Sequence, residues 1–193
     1  MSEADATQKF ARSRLAMGRV VAGLPNEGKD ALVALFEIGA DTTSLKVLRE
    51  GEMLYDRDQA FGGSQLTTLI SRQYGLSFEE AEQKKLAGDQ LEDYESQVLA
   101  PFVDSLSQEI GRALQYFFTS TPHHKVHYVM LAGGTATLPG LKDRVTELTG
   151  FAAMVVNPFD GMKIGSHVKE TKVRKESPSY LTACGLAMRR FLQ

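Results

Sequence analysis

The sequence predicts an α/β domain: a mixed five-stranded sheet interrupted by a mostly helical insertion. Three observations predict it. An apolar run at Ala31–Ile38 is followed by two more strand-like runs, Ser44–Arg49 and Met53–Phe61. Residues 63–122 then switch to helical periodicity. From residue 123 onward the order becomes strand, helix, strand, helix, the signature of parallel strands joined by crossovers. The expected division is a connecting helix at 1–28, a core at 29–62 and 123–193, and an insertion at 63–122.

Composition bounds the function. The chain has 193 residues, 42% hydrophobic and 24% charged, enough for one substantial core. A net charge of -2 gives no global pull toward nucleic acid or anionic lipid. Cys184 is the only cysteine, which excludes an intrachain disulfide and a cysteine-rich zinc site and fits a reducing compartment. No apolar run approaches the length of a membrane span, and no signal-peptide core follows Met1.

The elements follow in order. Ala4–Leu24 reads as a helix, with Phe10, Met17, Val21 and Leu24 on one stripe. Ala31–Ile38 is nearly all apolar, as a central strand covered on both faces should be. Ser44–Arg49 alternates, with Leu45 and Val47 on one side. Glu50-Gly51-Glu52 is a hairpin turn, and Met53–Phe61 returns. Ser64 is the expected N-cap of a helix over Gln65–Tyr74. Ser77 and Glu80 form a capping box for a helix over Phe78–Ala87, and Gly88-Asp89-Gln90 is a loop. Tyr94–Ser120 is one long helix, with Pro101 marking a break or a new first turn. Val126–Leu131 is a strand, and a helix begins at Leu138-Pro139 and runs to Leu148. Ala153–Val156 is a short strand, Gly161–Glu176 a basic surface loop, and Tyr180–Leu192 the last helix.

Several tempting signals point away from chemistry. Gly23–Asp30 imitates a phosphate loop, GxxxxGK, but Asp30 stands where Ser or Thr is needed. A helix precedes it and a strand follows, the reverse of the required context. His123 and His127 have helical metal-pair spacing but flank a loop-to-strand junction without a local carboxylate or cysteine partner. The basic residues of 161–176 lack interleaved aromatics, so that loop reads as a solvated surface, not a nucleic-acid patch. Cys184, among Ala183, Gly185 and Ala187, reads as a small buried hydrophobe.

Three glycine turns carry the functional signal: Gly39-Ala40-Asp41-Thr42-Thr43, Gly62-Gly63 and Gly133-Gly134-Thr135. Gly39 can take a positive φ without a Cβ clash, and successive amides in such a turn can converge on an anion. Ligands of open α/β sheets gather at strand ends, so all three turns are expected on one cleft. Each is also explained as an ordinary turn; their joint order favours a site.

The same stretches resemble the motifs of a known superfamily. Glu37-Ile38-Gly39-Ala40-Asp41-Thr42-Thr43 is similar to the second phosphate motif of actins, sugar kinases and heat-shock chaperones. Ala81-Glu82-x-x-Lys85 resembles the AExxK helix of bacterial actins, and Leu131–Leu141 resembles the adenosine motif. With Phe61–Thr67, Tyr74–Ser77, Asn157-Pro158-Phe159 and Ala183–Ala187, the wording resembles the PilM family of type IV pilus assembly, an FtsA-like, actin-like (ribonuclease-H-like) group, from about Phe10 onward.

This resemblance implies a cytoplasmic ATP- and magnesium-binding scaffold, peripheral to the inner membrane, serving pilus biogenesis and twitching motility. It implies that amides from Gly39 through Ala40, Asp41 and Thr42, with the Thr42 and Thr43 hydroxyls, approach the β- and γ-phosphates. Glu82 and Lys85 would hold the ribose, and Gly133, Gly134 and Thr135 would let the backbone approach the adenosine and α-phosphate. The family motif usually opens with Asp; Glu37 stands here, which leaves a water-mediated magnesium contact open and favours binding over hydrolysis. The resemblance covers a second lobe only. The implied partners are a PilN-type cytoplasmic tail, docking mainly on a first lobe, and other platform proteins, with self-association open and no nucleic acid. An ATPase or sugar kinase of the superfamily, and a nucleotide-free interaction lobe, are the competing readings.

Overall fold

The computed structural model describes residues 16–87 and 91–188. The expected helix before residue 16, the 88–90 loop and the end of the last helix lie outside the described residues. One sheet organises the rest. Strands β1 (Leu32–Ile38), β2 (Thr43–Arg49), β3 (Glu52–Gln59), β4 (Tyr128–Ala132) and β5 (Ala153–Val155) lie in the order β3-β2-β1-β4-β5. β1, β2 and β3 form an antiparallel meander; β4 runs parallel to β1, and β5 parallel to β4. This is the expected mixed sheet, with the apolar strand at its centre. Glu50 and Gly51, both at positive φ, make the tight hairpin turn between β2 and β3.

Helices cover both faces. α2 (Gly63–Tyr74), α3 (Phe78–Ala87), α4 (Ala100–Ser120) and α5 (Leu141–Thr149) pack on one side. Leu66, Ile70, Phe102, Leu106, Ile110, Leu114 and Val145 meet Leu32, Ala34, Phe36 and Ile38 there. On the other side, Ala16 and Met17 of α1 (helical over 16–22) and Leu181 and Cys184 of α7 (Leu181–Met188) meet Ala31, Val33 and Leu35. Adjacent β1 residues therefore feed opposite cores. Burial raises the Cys184 thiol pKa, and its Sγ lies 3.8 Å from the Pro158 carbonyl, consistent with a packing role.

Several local expectations are corrected. β2 does not alternate between core and water: every residue from Thr43 to Leu48 is buried, because helices lie over both faces. Ser64 is not the N-cap; α2 starts two residues earlier, after Gly62. Its first amides are satisfied by another turn, Gly63 N–H donating to Gly39 O at 2.9 Å and Ser64 N–H to Ala40 O at 2.7 Å. Pro139 lies ahead of α5, whose N-cap is Gly140 at φ 76°. The basic loop contains a short helix, α6 (Glu170–Glu176), braced by the i,i+4 pairs Arg174–Glu170 and Lys172–Glu176. Tyr180 belongs to a 3₁₀ turn, Ser177–Tyr180, that precedes α7.

Other expectations hold in detail. Ser77 Oγ accepts from Glu80 N–H at 3.2 Å while Glu80 accepts from Ser77 N–H at 2.9 Å, closing the capping box. That capping holds the Glu80 carboxyl below the usual range. Ahead of Pro101, Glu95–Leu99 forms a π turn, with Ala100 N–H reaching back to Glu95 O. The break predicted at the proline is therefore a widened turn leading into α4.

Candidate functional site

The carboxyl ends of parallel β1 and β4 open onto the same place. β1 runs into the Gly39 turn, closed by Gly39 N–H donating to Thr42 O at 2.9 Å. Gly39 does not use the left-handed conformation open to glycine; a side chain there would crowd Thr42 O at 3.1 Å. The start of α2 docks on this turn through the Gly63 and Ser64 amides. β4 runs into Gly133, whose N–H donates to Pro178 O at 2.9 Å, and then a 3₁₀ turn, Gly134–Thr137. Thr135 Oγ1 donates to Gly39 O at 3.3 Å, tying the third turn to the first. So the three glycine turns form one junction.

Three of its glycines are demanded by packing; at Gly62 an added Cβ would fall 2.4 Å from Ala40 O. At Gly133, φ is 92° and an added Cβ would fall 2.2 Å from Ile38 O. At Gly63 it would fall 2.6 Å from Thr135 Oγ1. Gly134 differs: its nearest neighbour would be Ser179 Oγ at 3.6 Å, an ordinary contact.

The turn's donors divide into used and free. Gly39 N–H closes the turn, and Thr43 is buried, its hydroxyl donating to Phe61 O at 2.6 Å. Those two groups pin the turn and do not face outward. Ala40, Asp41 and Thr42 are exposed, and their amides have no protein acceptor among the described residues. Three successive outward amides are chemically suited to an anion.

Glu82 and Lys85 sit beside this junction on α3. Lys85 Nζ lies 2.6 Å from Glu82 Oε2, 2.7 Å from Thr67 Oγ1 and 3.3 Å from Gly63 O. Thr67, fully buried on α2, also donates to Glu82 Oε2. Burial pushes the Glu82 carboxyl up, but hydrogen bonds from Lys85 and Thr67, with the Lys85 charge, outweigh it and hold it low. Thr67 was not singled out in the sequence; a lone threonine inside a helix carries no spacing signal.

Glu37 faces the other side of the sheet. Its Oε2 accepts from Lys46 Nζ at 2.6 Å and its Oε1 from Thr182 Oγ1 at 3.3 Å. Each carboxylate oxygen therefore has one donor within the protein. Lys46 is the second residue that sequence reasoning missed. The antiparallel register, Leu35 opposite Lys46 and Glu37 opposite Ser44, was the signal that could have found it.

The phosphate-loop imitation lies elsewhere. Pro25–Gly28 is a 3₁₀ turn before the start of β1, at the end of the strand away from Gly39. His127 Nδ1 accepts from Leu32 N–H at 2.8 Å, so that ring nitrogen is occupied. No helix among the described residues is long and apolar enough to cross a membrane.

A mixed sheet with this strand order, its glycine turns gathered at one end, defines an actin-like fold. Solved structures agree. The chain of the "PilM-PilN type IV pilus biogenesis complex" matches at 26% identity with a TM-score of 0.76, over 94% of this chain and 51% of that one. Ta0583, an archaeal actin homolog, matches at 16% identity and TM-score 0.62, over 97% and 55%. MreB 5 of Spiroplasma citri, bound to AMPPNP, matches at 12% identity and TM-score 0.60, over 95% and 58%. The chain thus spans about half the length of these relatives. The family described as type IV pilus assembly protein PilM matches residues 6–191, and the chain belongs to that family.

Proposed function

We propose that this chain is the second lobe of a PilM-type scaffold that binds ATP at the three-turn junction. One observation carries the reading: the amides of Ala40, Asp41 and Thr42 have no protein acceptor among the described residues, and their turn is tied by Thr135 Oγ1–Gly39 O to the turn that carries Gly134, where the protein itself leaves room. A phosphate chain would lie on those amides, and Gly134 would let adenosine approach the backbone. MreB 5, of the same fold, was solved with a nucleotide analogue, which supports the reading by analogy. The scaffold would work in the cytoplasm, held at the inner membrane by a PilN-type tail, as the composition of the matched complex suggests.

A first lobe would form the opposite wall of the cleft. Ala22 of α1 and Ala183, Leu186 and Ala187 of α7 are exposed small or apolar residues on the helices that would meet it. A second reading, a nucleotide-free interaction lobe, is favoured by Lys85, whose ammonium already contacts three acceptors within the protein.

Calorimetric titration of ATP into the chain separates the two. The proposal expects saturable heat that Gly134→Val abolishes while Gly134→Ala, with room for its Cβ, leaves the thermal melt unchanged. No heat in the folded wild type, alone or joined to a first lobe, overturns it.

A further inference from the structure

Glu37, Ser44, Lys46 and Thr182 form a cluster just behind the Gly39 turn, on the face covered by α1 and α7. The Lys46 side chain is 2% exposed and that of Glu37 15%. The ammonium lies 2.6 Å from Glu37 Oε2 and 2.7 Å from Ser44 Oγ. Thr182 on α7 donates to Glu37 Oε1. A buried ammonium without a counter-charge is strongly disfavoured, so the placement of Lys46 dictates where the carboxylate charge is consumed. Magnesium, by contrast, demands near-octahedral oxygen ligands at roughly 2.0–2.1 Å. Here an acceptor of that kind already faces a fixed, compact monovalent charge.

We infer that Lys46 is the resident cation of this end of the sheet: with Thr182 it holds both carboxylate oxygens of Glu37, and so keeps that carboxylate from serving a divalent metal or activating a water. The placement of the lock beside a phosphate site rests on the proposed ATP reading; the lock itself rests on geometry alone. Phosphate recognition in this chain then depends on the backbone amides of residues 40–42, with no metal held through Glu37. The site is built to bind a nucleotide's phosphates without the carboxylate step that hydrolysis uses. Thr182 adds a consequence: the lock also fastens α7 to β1.

The test uses the full chain labelled with ¹⁵N-lysine. A buried, ion-paired ammonium exchanges its protons slowly and gives a proton–nitrogen resonance at neutral pH, whereas solvated lysines do not. The expected result is a protected Nζ resonance that disappears in Lys46→Met, moves in Glu37→Gln, and neither shifts nor broadens when Mn²⁺ is added alone. If Lys46→Met does not fold, Lys46→Arg makes the same assignment with the charge kept. Broadening by Mn²⁺ in the wild type that Glu37→Gln removes would overturn the inference. So would the absence of a protected resonance in a chain that circular dichroism shows to be folded. Calorimetry with ATP is read separately: no ATP heat with an intact, Mn²⁺-silent Lys46 resonance sinks the ATP reading and leaves the lock standing.

Discussion

Two glutamate–lysine pairs flank the candidate site, each with a 2.6 Å contact, and they are built for different purposes. Glu37–Lys46 is enclosed between the sheet and two helices, with side chains 15% and 2% exposed. Glu82–Lys85 lies on α3, 37% and 17% exposed, and leans on buried Thr67. The distance is the same, so the contact geometry does not distinguish them. The surroundings do: in the first pair neither charge can be left alone, while in the second water can replace a lost partner.

The largest effect should come from breaking the enclosed pair. Glu37→Gln leaves a buried ammonium without its counter-charge and should cost about 3–5 kcal/mol in urea unfolding. Adding Lys46→Met removes the orphaned charge and should return most of that loss. If Glu37→Gln costs under about 1 kcal/mol, the pair is wetter than its burial implies and the contrast fails.

The next effect tests what braces the exposed pair. Thr67→Val keeps the shape but removes the hydroxyl that donates to Glu82 and accepts from Lys85. A loss of about 1–3 kcal/mol is expected, with Thr67→Ser restoring most of it. Equal stability in Thr67→Val would mean that α2 and α3 are held by packing alone.

Glu82→Gln should be the mildest, at most about 1 kcal/mol. It also has a pH signature. The folded Glu82 carboxyl titrates below its ordinary value, so its contribution is fully present above the ordinary glutamate range. It is lost as pH falls through the lower folded value. Urea midpoints of wild type and Glu82→Gln should therefore converge on acidification through that window; a gap that widens in acid would reverse the assigned shift.

The same contrast explains what could be read in the sequence. The central position of Ala31–Ile38 was legible because a strand buried on both faces is apolar at nearly every position, Glu37 being the exception here. The gathering of Gly39, Gly63 and Gly134 was legible because parallel strands place their following turns at one end. Lys46 was not, because alternation in Ser44–Arg49 suggested one wet face, and only the tertiary cover of α1 and α7 removes it. Ser64 looked like a cap because caps are local in sequence; here the caps are the carbonyls of Gly39 and Ala40, more than twenty residues back. The helix at Glu170–Glu176 was readable in its i,i+4 charges but was masked by the polar composition around it. The resemblance implied phosphate contacts from the Thr43 hydroxyl and the Gly39 amide; the fold uses both groups to pin the turn.

The central claim is that the turn's outward amides form the phosphate end of a nucleotide site. Backbone amide NMR of the full chain during ATP addition tests it most directly. The account predicts saturable shifts concentrated at Ala40, Asp41 and Thr42, and at Gly134 and Thr135, with the Gly39 amide, closed on Thr42, moving least among the turn residues. Saturable ATP shifts that bypass residues 40–42, or no shifts in the folded chain with or without a first lobe, would contradict it.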